Sequence, residues 1–266
     1  MPTTDKPAAE AALGRNPDQL TLEQRHALAG QWIALELYST ETTPLRRIPR
    51  PPRDLVEALG QLETVYLSDA MYRFGGLDRN IQPACPGMRL AGPAITVRVP
   101  PGDNLMVFQA FEVAQPGDVI VIESRGSVAV AQWGDITSMI AQSRQLGGMV
   151  TDGSLRDRKG ICEAGFPVFA PPVTTPNGAL KDGPGEVNVP VAVGNVPILP
   201  GDIVVGDSNG VVVVPRRDAL QVLSRARQLA EAEAKKIQEI RAGHFQTPPP
   251  NRGREGADLS DSQWDD

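Results

Sequence analysis

The chain has 266 residues, a formal net charge of -6 and a pI near 5.1. A dedicated binder of nucleic acid or of anionic membranes normally carries a basic stripe, so this charge balance argues against both classes. Hydrophobic residues make up 41% of the chain, enough to bury a core. No apolar run approaches the roughly 20 residues that span a bilayer. A soluble protein is therefore expected.

Only two cysteines occur, Cys85 and Cys162, and they form no C-x-x-C pair. We therefore expect two isolated thiols, not a disulfide framework or a structural zinc site. The first residues, MPTTDKPAAEAALGRNPDQ, lack the apolar core of a signal peptide. Together these features favour a reducing, cytoplasmic location.

Three regions are predicted along the chain. Residues 1–53 form an N-terminal extension: a mobile arm, an amphipathic helix from about Thr21 to Tyr38, and a proline-rich linker. A packed domain is expected over residues 54–247, and the polar tail at 248–266 is expected to be disordered. The linker arginines could form a basic contact strip, although a solvated linker is the preferred interpretation; they are Arg46, Arg47, Arg50 and Arg53.

The first half of the domain predicts helices and strands in turn. Short helices are expected at 54–59 and around 65–72, the second with Ser68 or Asp69 near its cap. Residues 88–99 alternate in their second half and predict a half-buried strand, with Ile95, Val97 and Val99 on one face. A helix at 103–113 and a buried strand at 119–122 follow.

Residues 133–157, WGDITSMIAQSRQLGGMVTDGSLRD, form the centre of the prediction. A helix should begin at Gly134-Asp135, carry Ile136, Met139 and Ile140 as its apolar residues, and end at the glycines 147–148. With the strands at 119–122 and 148–151 it makes a strand-helix-strand unit. In open α/β sheets such a unit directs the helix N-terminus and the strand ends into one crevice.

The last part of the domain is strand-rich and ends in a long helix. Short strands are predicted at 166–170 and 187–193, and residues 202–215 predict a hairpin with a Ser-Asn-Gly turn. The Pro-Gly-Asp sequences before these runs are typical of turns in which glycine takes a positive φ. A helix is expected at 218–242, closed by Gly243. Its apolar stripe is Leu220, Leu223, Leu229, Ile237 and Ile240.

Two features of the predicted crevice suggest that it binds ions or a charged ligand. The free amides and the dipole of the helix start at Gly134 suit a carboxylate or phosphate, although Asp135 could simply cap its helix. Arg156 offers a planar fork for a carboxylate, and Asp157 can hold a hard cation such as Mg²⁺ or Mn²⁺. An exposed, salt-bridged turn is the alternative for this pair. Asp152 is better explained as a turn-capping residue.

Asp135, followed after twenty residues by Arg156-Asp157, resembles the D-x(20)-R-D pattern of the RraA-like family of class II pyruvate aldolases. That family includes 4-hydroxy-4-methyl-2-oxoglutarate/4-carboxy-4-hydroxy-2-oxoadipate aldolase. The segments GGMVTDGSLRD and PGDIVVGDSNGVVVVP are similar to the family's strand-turn motif and C-terminal hairpin. The resemblance covers residues 54–245. The sequence departs from the family's WGG-L-L at the helix start, where it reads Trp133-Gly134-Asp135-Ile136-Thr137, which alters the lining of the pocket.

The resemblance implies an α/β fold of the swivelling β/β/α type, here with an added N-terminal helix and a C-terminal helix. Trimers or hexamers with active sites at subunit interfaces are expected. The pyruvyl group would be held by Arg156 and by the amides of Gly134, Asp135, Ile136 and Thr137. Asp157 would ligate the cation directly and Asp135 through water. A neighbouring subunit's C-terminal helix would add an acidic residue, Glu233 or, as the second choice, Glu231.

The function implied is that of a divalent-metal-dependent lyase acting on a 2-oxo acid. Retro-aldol cleavage of a 4-hydroxy-2-oxo acid and decarboxylation of oxaloacetate both pass through the enolate of pyruvate. Dehydration of a sugar acid is an alternative that uses the same chemistry. The non-catalytic alternative is a protein-binding regulator of RNase E, as in RraA itself. The expected partners are a 2-oxo acid and further copies of the chain, with no nucleic acid and no membrane.

Overall fold

The computed structural model describes residues 48–244. The predicted N-terminal arm, the helix at 21–38, most of the linker and the tail lie outside the described residues. By their contacts the described residues fall into two compact units, one ending at Arg227 and the other beginning at Gln228. Within residues 48–244, none of the helices combines the length and the apolar composition that crossing a bilayer requires.

The first unit is a mixed α/β domain. Its helices are α1 (Arg53–Gly60), α2 (Thr64–Ala70), α3 (Leu105–Val113), α4 (Asp135–Ser143), α5 (Arg158–Ala164) and the start of α6 (Ala219–Arg241). Its strands are β1 (Gln82–Pro83), β2 (Leu90–Arg98), β3 (Val119–Glu123), β4 (Ala131–Trp133), β5 (Gly148–Thr151), β6 (Ser154–Leu155), β7 (Val168–Ala170), β8 (Glu186–Val187), β9 (Val191–Val193), β10 (Val196–Ile198), β11 (Ile203–Asp207) and β12 (Gly210–Val214).

The main sheet runs in the order β1-β7-β5-β3-β2-β11-β12, with β8 also paired to β2. Strands β2, β3, β5 and β7 are parallel neighbours, and β1, β8, β11 and β12 add to them antiparallel. Its two edges approach each other, since Gly210 at the start of β12 lies close to Gln82 of β1. The sheet is therefore a nearly closed barrel, and this confirms the predicted fold class.

Strand β2 lies at the centre of this barrel and is buried on both faces. Ala94 and Thr96 are as inaccessible as Ile95 and Val97. The strand predicted here is confirmed, but the prediction that one of its faces is exposed was wrong. Strand β2 lies between β3 and β11 within the sheet, and helices α3 and α1 pack against it. A strand of this kind reads as a continuous apolar run.

Other predicted helices and strands are confirmed, but some begin or end at different residues. The 202–215 hairpin is confirmed, and Gly117 and Gly201 take the expected positive φ, 90° and 84°. Helix α2 starts earlier than expected because Asp207 accepts hydrogen bonds from Thr64 N at 2.8 Å and Oγ1 at 2.7 Å. Ser68 and Asp69 therefore lie in its last turn and not at an N-terminal cap. Residues 187–193 form parts of two strands, β8 and β9.

Helix α6 confirms the long C-terminal helix but buries a different face. In the first unit Ala219, Val222, Leu223 and Ala226 are buried, while Leu220 is 73% exposed. Leu223 is the one residue of the predicted stripe that is buried in the described part of the chain. The face of the helix that packs on the hydrophobic cluster with β11 and β12 carries Ala219, Val222, Leu223 and Ala226, and Leu220 points away from it. In the second unit the helix carries exposed apolar residues at Leu229, Ile237 and Ile240.

The linker is anchored where the described residues begin. The Arg50 guanidinium reaches the buried Asp118 carboxylate, with Nη2 to Oδ2 at 2.7 Å and Nε to Oδ1 at 3.0 Å. The solvated-linker interpretation is thus wrong for Arg50. Arg53 is exposed and pairs with Glu57, while Arg46 and Arg47 lie outside the described residues.

The two cysteines are not isolated thiols. Cys85, just after β1, and Cys162, in α5, form a disulfide although 77 residues separate them in sequence. The fold brings their Cα atoms to 5.8 Å, a separation at which a disulfide forms readily. Cysteine spacing along a sequence carries no record of such proximity. The inference of a reducing location from unpaired thiols loses its basis.

Loss of this disulfide should lower stability. Because the bond closes a long loop, replacing Cys162 by Ser is expected to reduce the free energy of unfolding by about 2–4 kcal/mol in non-reducing buffer. Denaturant unfolding of the wild type and of Cys162→Ser, each with and without dithiothreitol, measures this. Dithiothreitol should bring the wild type to the stability of the variant. Equal stability of the two proteins without reductant would contradict the pairing.

Candidate functional site

The start of helix α4 is fixed from inside the core. Trp133 is buried and its ring packs against Phe111 and Phe166, with ring centroids 5.9 and 6.0 Å away. Its Nε1–H donates to Ser138 Oγ at 2.8 Å, and Ser138 Oγ in turn donates to the Gly134 carbonyl at 2.9 Å. The first turn of α4 is therefore anchored by a buried indole.

The backbone amides at this start are only partly available. The Gly134 amide donates to Thr137 Oγ1 at 2.9 Å, and the Ile136 amide donates to Asp135 Oδ1 at 2.7 Å. Within the described part of the chain, the amides of Asp135 and Thr137 make no hydrogen bond. Because unpaired amides at a helix N-terminus favour an anion, these two are the donors ready for one.

Arg156 and Asp157 lie beside this helix start. The Arg156 amide donates to the Trp133 carbonyl at 3.1 Å, which ties the segment after β6 to the end of β4. Arg156 Nε lies 3.1 Å from Asp157 Oδ2, and both side chains are a little over 40% exposed. A Cβ at Gly134 would stand 2.9 Å from Asp157 Oδ2 and 3.3 Å from Arg156 Cγ. The structure thus brings Gly134, Arg156 and Asp157 together.

Asp157 holds an unusual backbone conformation. Its φ is 54°, in the left-handed region that residues other than glycine seldom occupy, and it forms the N-cap of α5 without a side-chain capping bond. Residues in such conformations cluster at functional sites, where the surrounding structure maintains them. The conformation leaves the Asp157 carboxylate beside Arg156 and not over the end of its own helix.

Asp135 packs against α5, the helix that Asp157 precedes. A Cβ at Gly160 of α5 would stand 2.7 Å from Asp135 Cβ and 2.9 Å from its Oδ2, so the aspartate side chain lies directly against α5. The predicted apolar face of α4 is confirmed only for Ile140, which packs against the core; Ile136 and Met139 are 59% and 51% exposed, and the buried face of the helix is small and polar. The helix also ends at Ser143, before the glycines, with Gln145 in the left-handed conformation.

The donors in the crevice suit a hard cation that keeps much of its water. Asp157 presents a half-exposed carboxylate whose Oδ1 has no hydrogen-bond donor among residues 48–244, and Asp135 offers a second oxygen-bearing group nearby. The described residues contain no group of three or more Asp, Glu, His or Cys side chains placed so that they could hold a metal ion together. A cation such as Mg²⁺ is bound through one or two carboxylates plus water and substrate oxygens, and this donor set fits that pattern.

The other charged residues of the segment have structural roles. Asp152 accepts hydrogen bonds from the amides of Ser124 and Gly126, so the turn that it caps is the one after β3 and not the turn of the 152–157 segment for which capping was predicted. Arg158 Nε donates to the Ala84 carbonyl at 2.8 Å and joins α5 to the segment after β1. Glu231 and Glu233 are exposed in the second unit.

One wall of the crevice was not predicted. Residues 173–180, the wall segment, run past β6 and β4 and pair with Leu155, Ala131 and Asp103 through single bridges at Thr174, Gly178 and Leu180. Its residue Gly178 lies against the Arg156 guanidinium. In the sequence, VTTPNGAL has neither strand periodicity nor a charged residue, so no signal marked it as part of a site.

Asp103 secures the chain just beyond the wall segment. Burial raises the pKa of this carboxyl group, but hydrogen bonds from backbone amides outweigh that effect and hold the pKa below its ordinary value. The amides belong to Asp182, Leu105 and Gly183, each 2.8 Å from a carboxylate oxygen. Asp103 is therefore a charged anchor of the loop that follows the wall segment.

A separate cleft lies between α2 and the β11–β12 hairpin. It has a volume of about 320 Å³ and is lined in part by Thr64, Arg73, Asp78, Arg79 and Asn209. None of the predicted site residues borders it. Its arginines and aspartates are balanced in charge, so it offers no clear preference for an anion.

The packed domain is similar in sequence to proteins of a known family. Residues 64–213 match the RraA-like Aldolase/RraA family. A putative 4-hydroxy-4-methyl-2-oxoglutarate aldolase of Halalkalibacterium halodurans is 38% identical over 175 residues, which are 66% of this chain and 83% of the relative. The 4-hydroxy-4-methyl-2-oxoglutarate aldolase of Thermus thermophilus is 32% identical over 127 residues, 48% of this chain and 76% of that relative.

A solved structure extends the comparison to the fold. Streptomyces coelicolor RraAS2, described as an unusual member of the RNase ES inhibitor RraA protein family, superposes with a TM-score of 0.65 at 30% identity. The match covers 71% of this chain and 98% of RraAS2. The family match and the barrel fold thus define a protein of the RraA type. The chain belongs to the RraA-like family, whose named relatives include aldolases.

The buried anchor of α4 can be tested by stability. Ser138→Ala would leave the buried Trp133 N–H without an acceptor, and we expect the free energy of unfolding to fall by about 1–3 kcal/mol. Ser143→Ala is the matched control on the same helix, since Ser143 is exposed at the last turn. Its effect should stay within about 0.5 kcal/mol. Denaturant unfolding of both variants gives the comparison, and equal stabilities would refute the anchoring role.

Proposed function

We propose that this protein is a divalent-cation-dependent lyase that releases pyruvate from a 2-oxo acid, by retro-aldol cleavage of a 4-hydroxy-2-oxo acid or by decarboxylation of oxaloacetate. The observation that carries the proposal is the convergence, in one crevice, of two free amides, the Arg156 fork and the Asp157 carboxylate. The aldolase names of the relatives from H. halodurans and T. thermophilus support it.

The anion-binding half of the crevice would hold the substrate carboxylate. The free amides of Asp135 and Thr137 point out of the first turn of α4, where the helix dipole adds positive potential. Arg156 lies beside them and presents guanidinium N–H groups that suit a carboxylate in two-point contact. The carboxylate would be held in this way before and during cleavage of the carbon–carbon bond, so this half of the crevice would provide binding, and the negative charge that develops on the 2-oxo oxygen would be left to the cation.

The cation-binding half would act on the same charge. Asp157 would hold the cation, which when bound acts as a Lewis acid on the 2-oxo group. Asp135 would orient the water that accepts the proton of the substrate hydroxyl in the retro-aldol direction. For oxaloacetate no hydroxyl proton is removed, and Arg156 and Asp157 alone would carry the reaction.

A second copy of the chain would complete the site. Ile136 and Met139 are exposed apolar side chains on the helix that borders the crevice. Exposed apolar residues beside a site favour coverage by another protein surface. The C-terminal helix of a neighbouring subunit, with Glu233 or Glu231, would supply the third acidic group that the described part of one chain lacks. A trimer or a hexamer with shared sites follows from this proposal.

A protein-binding role is the second candidate, because RraAS2 is described as a member of an RNase ES inhibitor family and shares this fold. Asp157 takes a left-handed backbone conformation that leaves its carboxylate beside Arg156, and a surface that only binds another protein has no need for this arrangement. This favours chemistry over binding alone. Inhibition of a purified ribonuclease of the RNase E type, with no pyruvate release, would support the second candidate.

Asp157→Asn tests the catalytic proposal. The change keeps the size of the side chain and removes the charge that would hold the cation, so pyruvate release should fall by about 100-fold or more. The assay measures pyruvate from oxaloacetate and from 4-hydroxy-4-methyl-2-oxoglutarate with lactate dehydrogenase, with Mg²⁺ or with EDTA. A blank without enzyme removes the spontaneous decarboxylation.

Glu163→Gln is the matched control for this experiment. Glu163 is an exposed carboxylate in the last turn of α5, the helix that Asp157 precedes, and among residues 48–244 its ion-pair partner is Lys159 at 3.7 Å. It should retain wild-type rates. If Asp157→Asn in EDTA releases pyruvate as fast as the wild type in Mg²⁺, the proposed roles of Asp157 and the cation are wrong.

A further inference from the structure

The Arg156 side chain is bracketed by two glycines. On one side a Cβ at Gly134 would meet Arg156 Cγ at 3.3 Å and Nε at 3.6 Å. On the other side a Cβ at Gly178 would clash with Arg156 Nη1, and it would stand 3.2 Å from Cζ and 3.7 Å from Nη2. Arg156 therefore lies close to backbone at both positions, with its stem and Nε beside Gly134 and the Nη1 end of its guanidinium beside Gly178, and a Cβ at either position would crowd it.

Neither glycine is required by its backbone conformation. Gly134 has φ -152° and ψ -164°, which any residue can adopt, and Gly178 does not lie in the left-handed region. Turn geometry thus gives no reason for glycine at 178. The reason that remains is space, and the group that uses the space is the end of Arg156.

The wall segment cannot withdraw to make room for a larger residue. Just before Gly178, the Asn177 carbonyl accepts the Ala131 amide at 2.9 Å. Just after it, Leu180 exchanges hydrogen bonds with Gly102 and Asn104, at 2.8 and 3.0 Å. Because these contacts hold the backbone on both sides, a Cβ at position 178 would displace the flexible guanidinium and not the wall.

We propose that Gly178 is the positioning residue of Arg156, and that the wall segment thereby sets where the guanidinium meets the substrate carboxylate. The proposal rests on the anion-binding role given to Arg156 above. It assigns a function to a segment whose own side chains carry no charge. A methyl group at position 178 turns the fork away from the free amides of Asp135 and Thr137, so the carboxylate loses a two-point contact.

Gly178→Ala tests the proposal through substrate binding. Losing a charge-assisted contact should raise KM for oxaloacetate and weaken oxalate binding by roughly tenfold or more. The value of kcat should change little, since the fork holds the carboxylate in both the ground state and the transition state. Thermal unfolding should stay at the wild-type temperature. Gly76→Ala is the control, because its Cβ would meet only Ser68 Oγ at 3.9 Å.

The same substitution in an Arg156→Lys protein distinguishes positioning of Arg156 from any other effect of a change in the wall segment. Lysine has no fork to misplace, so Gly178→Ala should add little to the loss already caused by Arg156→Lys. Equal losses from Gly178→Ala in both backgrounds, or wild-type oxalate affinity in the single variant, would overturn the proposal.

A readout without ligand distinguishes this proposal from the proposed function. The Arg156 Nε–H resonance, identified by its absence in Arg156→Lys, reports the contact with Asp157. It should shift in Gly178→Ala and stay in place in Gly76→Ala. A wild-type protein that binds no oxalate and releases no pyruvate refutes the proposed function, and an unshifted resonance refutes the role of Gly178.

Discussion

The hydrogen bonds from Trp133 Nε1 to Ser138 Oγ, and from Ser138 Oγ to the Gly134 carbonyl, hold the end of β4 and the start of α4 in one arrangement. The indole itself is packed between two phenylalanines. The Trp133 carbonyl then receives the Arg156 amide, so the same residue places the arginine beside the helix start. A buried aromatic residue thus positions both parts of the proposed anion site, which is exposed to solvent.

The crevice shows how backbone without side chains can organise charged groups. Gly134, Gly160 and Gly178 lie against Asp157, Asp135 and Arg156, and each leaves space that a Cβ would fill. Charged side chains that rest on backbone keep their polar atoms free for a ligand, whereas side chains held by ion pairs give up part of that capacity. The ion pair between Arg156 and Asp157 leaves the other Asp157 oxygen free. This arrangement suits the proposed shared site for a carboxylate and a cation.

Much of the fold and part of the site could be predicted from the sequence because their signals are local. The strand at 119–122, the helix start at Gly134 and the 202–215 hairpin follow from apolar runs and turn residues. Tertiary contacts could not be predicted in this way. The Cys85–Cys162 bond, the Arg50–Asp118 ion pair and the contact of Gly178 with Arg156 join residues far apart in sequence. Ile136 and Met139 misled because apolar spacing shows which residues share a face, but not whether that face is covered within one chain.

The most direct test of the central claim is a crystal structure of the protein with oxalate and Mg²⁺, since oxalate resembles the enolate of pyruvate in shape and charge. We predict that one oxalate carboxylate accepts hydrogen bonds from the amides of Asp135 and Thr137 and from Arg156, and that Asp157 contacts the cation bound to oxalate. Oxalate bound in the cleft beside α2 and absent from Arg156, at concentrations that saturate the protein in solution, would contradict the account.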